Sequence, residues 1–308
     1  MARCDVKPSG PPISRLLPVG AVGLYVAHMP SAEEIRNAQR EAWARLSAGW
    51  DAWDSVIMAQ LAPVSAAMID RLDITEDRQH LDVASGTGEP GLTIARLAPW
   101  GHVVLTDLAP EMLEVASRRA IAQGITNVET QVCSADDLPF GDATFDSLSV
   151  RFGYMFLPDL PQATAEFARV LRPGGRLCAS VWVRPDENPW TSIAMRAIAE
   201  EVSLPLPDPD RPGMFRCAAP GYVSALYEAA GLREVAEWDV GVELVTHTPE
   251  EYWRMISEHV SLAVAALRYV DAPARERIAQ AAIAEVRSYE VDGMVRVPGM
   301  ARCIVGTR

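Results

Sequence analysis

Leu81-Asp82-Val83-Ala84-Ser85-Gly86-Thr87-Gly88-Glu89-Pro90-Gly91 decides how this chain is read. Residues 80–84 form a short apolar run of the kind that becomes a buried strand. A glycine-rich turn follows, and residues 92–97, without internal glycine or proline, read as a helix. Gly86 and Gly88 let the backbone approach a ligand without Cβ obstruction. The helix behind the turn presents unpaired N–H groups, which favour an anionic group. Gly86-x-Gly88-x-x-Gly91 also fits the dinucleotide fingerprint, and Asp107 stands about where a ribose-binding acid would end the next strand. The turn alone does not choose between cofactor classes.

Working outward, strands are expected at 102–106, 128–133, 145–150 and 176–183, and helices at 110–123 and 160–171. Pro110 opens one helix, and Pro173-Gly174-Gly175 closes the other. Strand–helix alternation with short connections predicts an α/β fold with a doubly wound, mostly parallel sheet. Its ligand belongs at the carboxyl ends of the strands, where the strand order reverses. Upstream, Ser31 and Glu34 form a capping box for a helix to about residue 49, and a second helix covers 53–71. Downstream the pattern weakens. Residues 205–213 carry Pro205, Pro207, Pro209 and Pro212 and read as a loop. A helix at 222–230, a strand at 232–245, helices at 249–267 and 273–289 and a last strand at 300–305 complete the expectation.

The expected organisation is therefore a leader at 1–30, covering helices at 31–75, a cofactor-binding core at 76–184, and further strands with a helical insertion at 185–308. The leader, with Pro8, Pro11, Pro12 and Pro18, is expected to be flexible or to contact a second subunit of a homo-oligomer; a start at Met29 is the competing reading. Its apolar run at 16–25 is broken by Pro18 and Gly20 and does not read as a signal peptide. Five dispersed cysteines without a Cys-x-x-Cys pair fit a reducing cytoplasm and exclude a disulfide framework or zinc knuckle. No clustered metal-ligand set is present, so no metal is expected. A net charge of −13 disfavours nucleic acid and anionic membranes, and no apolar run is long enough to span a bilayer. A small-molecule substrate remains.

Three features narrow the cofactor. Asp82 lies within the first strand, where a buried carboxylate needs a partner; an ammonium-bearing ligand supplies one, whereas a pyrophosphate would be repelled. Ala135-Asp136-Asp137-Leu138-Pro139-Phe140 follows the third strand. Arg169-Val170-Leu171-Arg172-Pro173-Gly174-Gly175 precedes the fifth. In this order the blocks resemble the class I S-adenosylmethionine-dependent methyltransferases, in the ubiquinone/menaquinone-biosynthesis-like branch with its bacterial natural-product relatives. The resemblance covers about residues 40–190. It implies a seven-stranded sheet, a helical lid over the substrate near the C-terminus, and S-adenosyl-L-methionine as cofactor.

Carried over by position, the resemblance places the methionine part of the cofactor against Asp82, Ala84, Gly86, Thr87 and Gly88. It gives the ribose hydroxyls to Asp107, the adenine face to Leu108 and Met112, and the adenine edge to Ser134 and Ala135. Relatives often carry Asp or Asn at position 134, so the N6 contact falls to Ser134 or to Asp136. Arg151 occupies the position whose backbone lies near the methionine amine; its side chain is expected to point away or to pair with a carboxylate.

Methyl transfer needs alignment and exclusion of water, and a base only when the nucleophile arrives protonated. Of the five histidines, His80 and His102 open strands and belong at the far end of the sheet. His259 and His247, in the C-terminal insertion, and Tyr154, after the fourth strand, are the catalytic candidates. Trp43, Trp50, Trp53, Trp182, Trp190 and Trp253 suit an apolar or aromatic acceptor, or serve as core anchors. An NAD-dependent oxidoreductase leaves Asp82 and the 135–140 block unexplained. A cyclase or regulatory module on the same fold is the other alternative.

Overall fold

The computed structural model describes residues 31–202 and 211–308. The leader and most of the proline-rich 205–213 segment lie outside the described residues. From Ala32 to Arg308 the chain forms one compact unit.

Two helices, α1 (Ala32–Ala52) and α2 (Asp54–Arg71), precede the sheet and meet at a bend of 97°. Then come β1 (Gln79–Val83), α3 (Gly91–Leu97), β2 (His102–Asp107), α4 (Pro110–Ala122), β3 (Val128–Val132), β4 (Phe145–Arg151), α5 (Leu160–Val170) and β5 (Leu171–Trp182). The second half adds α6 (Pro189–Glu201), α7 (Tyr222–Ala229), β6 (Arg233–Thr246), α8 (Pro249–His259), α9 (Ser261–Leu267), α10 (Ala272–Val286), β7 (Glu290–Val291) and β8 (Met294–Thr307). Among the described residues no single helix is long and apolar enough to cross a membrane.

The main sheet order is β3-β2-β1-β4-β5-β8-β6, with β7 paired to β8 as an eighth, two-residue strand. The first five strands are parallel; β8 runs antiparallel to both β5 and β6. The expected doubly wound sheet is present, and its order reverses at β1, between β2 and β4. The central strands are mostly apolar, as expected of strands covered on both faces: Leu81, Val83, Val103, Leu105, Leu148, Val150, Leu177 and Ala179 are all buried, with His80, Asp82, Ser147 and Ser149 as a buried polar group among them.

The second half departs from expectation in three places. Residues 189–201 form a helix that the sequence reading missed. Trp190, Ile193, Ala194, Ala197 and Ile198 are buried, and the segment lacks a clean polar face. The 249–267 segment is two helices, because Val260 adopts an extended conformation (φ −78°, ψ 115°). The last strand is 14 residues long and not 6. Pro298 lies within it, where β8 pairs with β6 alone, since β5 ends opposite Ala301. The missing N–H of Pro298 therefore interrupts no second ladder. Asn188 bridges the corner, donating to the Val183 and Met300 carbonyls and accepting from Met300 N–H and Trp190 Nε1.

α1 is pinned across the carboxyl ends of the strands. Arg36 pairs with Asp136 at 2.9 Å, and Asp51 accepts from Arg118 and Arg119 of α4. Just beyond α1, Trp53 Nε1 donates to Glu258 of α8 at 2.7 Å. Gly49 lies so close to α8 that a Cβ there would strike the Glu258 carbonyl. Gly49→Ala is therefore expected to lower unfolding free energy by about 1–3 kcal/mol in urea titration; an unchanged midpoint would show that α1 does not need this approach.

Candidate active site

The turn after β1 is held open by backbone geometry. Gly88 has φ +111°, and a Cβ there would press on Leu92 and Ala116, so the turn lies flat on α3 and α4. Gly86 N–H donates to Asp107 Oδ2 at 2.9 Å, and Ala109 N–H donates to Oδ1 at 2.9 Å. The carboxylate at the end of β2 thus fixes both the turn and the start of the β2–α4 connection. Burial pushes the Asp107 pKa up, against the backbone N–H groups that hold the charged form.

One cavity opens over this turn. Its floor comes from the carboxyl ends of all five parallel strands: Ala84, Ser85, Gly86 and Thr87 after β1, Asp107 and Leu108 at β2, Ser134 and Ala135 after β3, Arg151 and Phe152 at β4, and Trp182 at β5. Met112 of α4 completes one side. The opposite wall is Trp43 and Trp50 of α1 with Ile57, Gln60 and Leu61 of α2; Phe156, Trp190 and His259 close the end.

Aromatic contacts build that far end. Trp43 meets Phe156 edge-on at 5.1 Å, Trp50 meets His259 at 5.6 Å, Phe152 stacks on Trp182 at 4.1 Å, and Trp182 meets Trp190 at 5.0 Å. Trp53 is instead a core anchor under Arg254, and Trp253 lies in an outer groove of the helical insertion.

Several candidates fall elsewhere. Tyr154 is fully buried, its hydroxyl bonded to Thr164 and its pKa raised by burial, so it is an interior anchor rather than a cavity group. His247 is exposed at the entry to α8, its N–H donated to Glu251. Neither lines the cavity. His259 does, as the last residue of α8. Its Nδ1–H donates to the Met255 carbonyl at 3.0 Å, and burial holds its pKa down at about 4. It is a neutral ring with the Nε2 lone pair free.

Asp82 differs from expectation. It is fully buried and does not line the cavity. Ser149 Oγ donates to Oδ1 at 2.5 Å and Gly91 N–H to Oδ2 at 3.0 Å, so the carboxyl needs no ligand partner. Burial raises its pKa to about 7. His80 is drawn into the same chain, with Nε2 2.9 Å from Ser149 Oγ and Nδ1 2.8 Å from Ser147 Oγ. It is fully buried near the amino end of β1, as the sequence reading expects, and does not line the cavity. Asp136 faces Arg36 and Ser134 Oγ. Gly88 serves packing and does not line the cavity.

Arg151 neither points away nor finds a carboxylate. Arg151 is a lining residue of the cavity, and its guanidinium reaches α2, 3.3 Å from Ser65 Oγ and 3.6 Å from Met58 Sδ. Sequence reasoning missed Gln39, Gln60 and Phe156 as wall residues; on amphipathic helices and a short turn such residues resemble ordinary core.

The family model described as the ubiE/COQ5 methyltransferase family matches residues 36–202. An uncharacterised protein of Mycobacterium tuberculosis is 30% identical over 218 residues, which is 69% of this chain and 78% of that protein. The chain belongs to the ubiE/COQ5 methyltransferase family. The ubiquinone/menaquinone biosynthesis C-methyltransferase UbiE of Hahella chejuensis is 39% identical over 128 residues, 41% of this chain and 51% of that protein. Two solved structures share the fold: the YcgJ protein of Bacillus subtilis (22% identity, TM-score 0.52, 79% of this chain and 97% of that one) and the cyclase SpnF (18%, 0.54, 90% and 97%).

The enzyme is a methyltransferase whose cofactor is S-adenosylmethionine. The cavity fits that group chemically. The half-buried Asp107 carboxylate suits a vicinal diol, the Leu108 and Met112 side chains suit a flat base, and the buried Ser85 Oγ is without a partner beside the turn.

Two buried histidines and Asp82 oppose each other in acid. His80 and His259 have folded pKa values of about 3 and 4, below the ordinary 6.5, so their contribution is present above pH 6.5 and lost as pH falls. Asp82, raised to about 7 from 3.8, contributes in the other sense: its share is present below 3.8 and lost as pH rises through 7. Asp82→Asn removes this offset. Its melting temperature is expected to fall more steeply than that of the wild type between about pH 7 and pH 5, each group acting with a slope of at most about 1.4 kcal/mol per pH unit. Parallel curves would contradict a carboxyl that protonates in the folded chain.

Proposed function

We propose that this methyltransferase acts on a small, flat, apolar or aromatic acceptor held at the aromatic end of the cavity. The observation that carries this reading is continuity: one cavity joins the β1 turn and Asp107 to the Trp43, Phe156, Trp182 and Trp190 end. When bound, S-adenosylmethionine supplies a methyl group already activated on a sulfonium sulfur. In this reading Gly86 and Thr87 hold the amino-acid part, Asp107 accepts the ribose hydroxyls, Leu108 and Met112 cover the base, and Ser134 and Ala135 border its edge. Asp82 acts beneath the turn, by holding Gly91 and hence the start of α3 in place.

The remaining work of the chain is alignment and dryness. Trp43 and Trp50 keep water from the acceptor side. The free Nε2 of His259 accepts a hydrogen bond from an acceptor X–H and orients it. With a pKa near 4 the ring is a weak base, so orientation is its main contribution.

Incubating the protein with methyl-labelled S-adenosylmethionine and a panel of hydroxylated and aminated aromatic acceptors tests the proposal. Label is expected in an extractable small molecule. His259→Ala is expected to lower kcat at least about tenfold at nearly constant cofactor affinity, and His247→Ala to leave turnover within about twofold. Label transfer to no small molecule, or equal turnover in both variants and the wild type, contradicts it.

A further inference from the structure

The acceptor end of the cavity is rich in hydrogen-bond donors that have nothing to donate to. Gln60 is 3% exposed, yet its Nε2 has no partner. Trp50 Nε1 is buried without a partner. Both side chains line the cavity, one from α2 and one from α1. Arg151 lines the same cavity and carries a positive charge to its α2 wall. Its two contacts, with Ser65 Oγ and Met58 Sδ, are long and uncharged. A guanidinium has five N–H donors and stays protonated, so this arrangement leaves most of them unused.

The acids whose field reaches Arg151 are Glu89, Asp82 and Asp54. Each is engaged elsewhere. Glu89 also lines the cavity, but its carboxylate accepts from Thr93 N–H and lies 3.7 Å from Arg96. Asp82 is held by Ser149 and Gly91. Asp54 pairs with Arg119 at 2.6 Å. Among the described residues, no carboxylate stands within ion-pair distance of Arg151. Burying a cation and two N–H donors without acceptors is costly, and the cost is recovered only if a ligand brings the acceptor.

We propose that the acceptor is anionic: a planar apolar body carrying one oxyanion, such as a carboxylate, which Arg151 binds with help from Gln60 Nε2 and Trp50 Nε1. The inference rests on the reading of this cavity as an acceptor site next to the cofactor. Arg151 leans on α2, the wall that also carries Gln60, Ile57 and Leu61, rather than on the β1 turn. That direction favours the acceptor over the carboxylate of the cofactor as its partner. Arg151 and Gln60 then determine which acceptors enter. A neutral aromatic of the same shape leaves the guanidinium unpaired, and selection against it follows from that penalty.

The test uses the full chain saturated with S-adenosylhomocysteine and a matched pair of probes, 2-naphthoate and 2-naphthamide, with binding followed by tryptophan fluorescence. Wild-type protein is expected to bind the naphthoate at least about tenfold more tightly than the amide. Arg151→Met is expected to abolish the preference while keeping its affinity for S-adenosylhomocysteine within about threefold. Arg151→Lys, which keeps a point charge but loses the fork, should fall between the two. No preference in the wild type, or a preference that survives in Arg151→Met, overturns the proposal. So does a large loss of S-adenosylhomocysteine affinity in folded Arg151→Met, which would assign the guanidinium to the cofactor. Should Arg151→Met fail to fold, Gln60→Leu decides: weaker naphthoate binding at unchanged cofactor affinity supports the assignment, and unchanged naphthoate binding overturns it. Failure of wild-type protein to bind S-adenosylhomocysteine at all sinks the acceptor-site reading itself and is a separate result.

Discussion

The carboxylate of Asp107 is the tie on which the site depends. It accepts one hydrogen bond from Gly86 and one from Ala109, joining the turn after β1 to the segment after β2. Each oxygen keeps a second lone pair for a ligand. A group that both shapes the backbone and faces the cavity needs little rearrangement to bind, which lowers the ordering cost of association. The parallel sheet makes this possible by bringing the ends of β1 and β2 side by side, with Val83 opposite Thr106 in register.

Above the tie, chemistry is divided between floor and roof. The floor, built from strand ends, carries the charged and hydroxyl groups of Ser85, Thr87, Asp107, Ser134 and Arg151, with Phe152 and Trp182 at its aromatic end. The roof, built from α1 and α2, is aromatic and held by a few side-chain links: Arg36 to Asp136, Asp51 to Arg118 and Arg119, and Trp53 to Glu258. Arg36 and Asp51 lie near opposite ends of α1, so the helix is fixed at two points while Trp43 and Trp50 face the cavity between them. Among the described residues of α8, α9 and α10, the one that lines the cavity is His259, placed there because α8 stops at Val260.

Where local backbone chemistry sets the structure, the sequence was readable. The β1 turn, the acid at the end of β2, the proline at the start of α4 and the alternation of strands and helices all follow from short-range rules. Long-range packing was not readable. Residues 189–201 form a helix that buries Trp190 and Ile193 and packs on α10 and β8, and Pro298 sits inside a long strand because one neighbour has ended there. The partners of single polar groups were also hidden. Asp82 looked like a carboxylate in need of a ligand, but Ser149, distant in sequence, satisfies it. Arg151 looked like a residue to be turned away or paired with a carboxylate, and only the fold shows that it lines the cavity with no carboxylate of the described residues at ion-pair distance.

The most direct measurement is calorimetry of S-adenosylhomocysteine binding to wild-type protein and to Asp107→Asn, with thermal melting run alongside. An intact 1:1 complex in the wild type, weakened at least about tenfold in the variant at similar melting temperature, is what a carboxylate holding the ribose requires. Equal affinities in the two proteins would mean that Asp107 only shapes the turn, and no heat of binding to the wild type would remove the nucleoside from this cavity altogether.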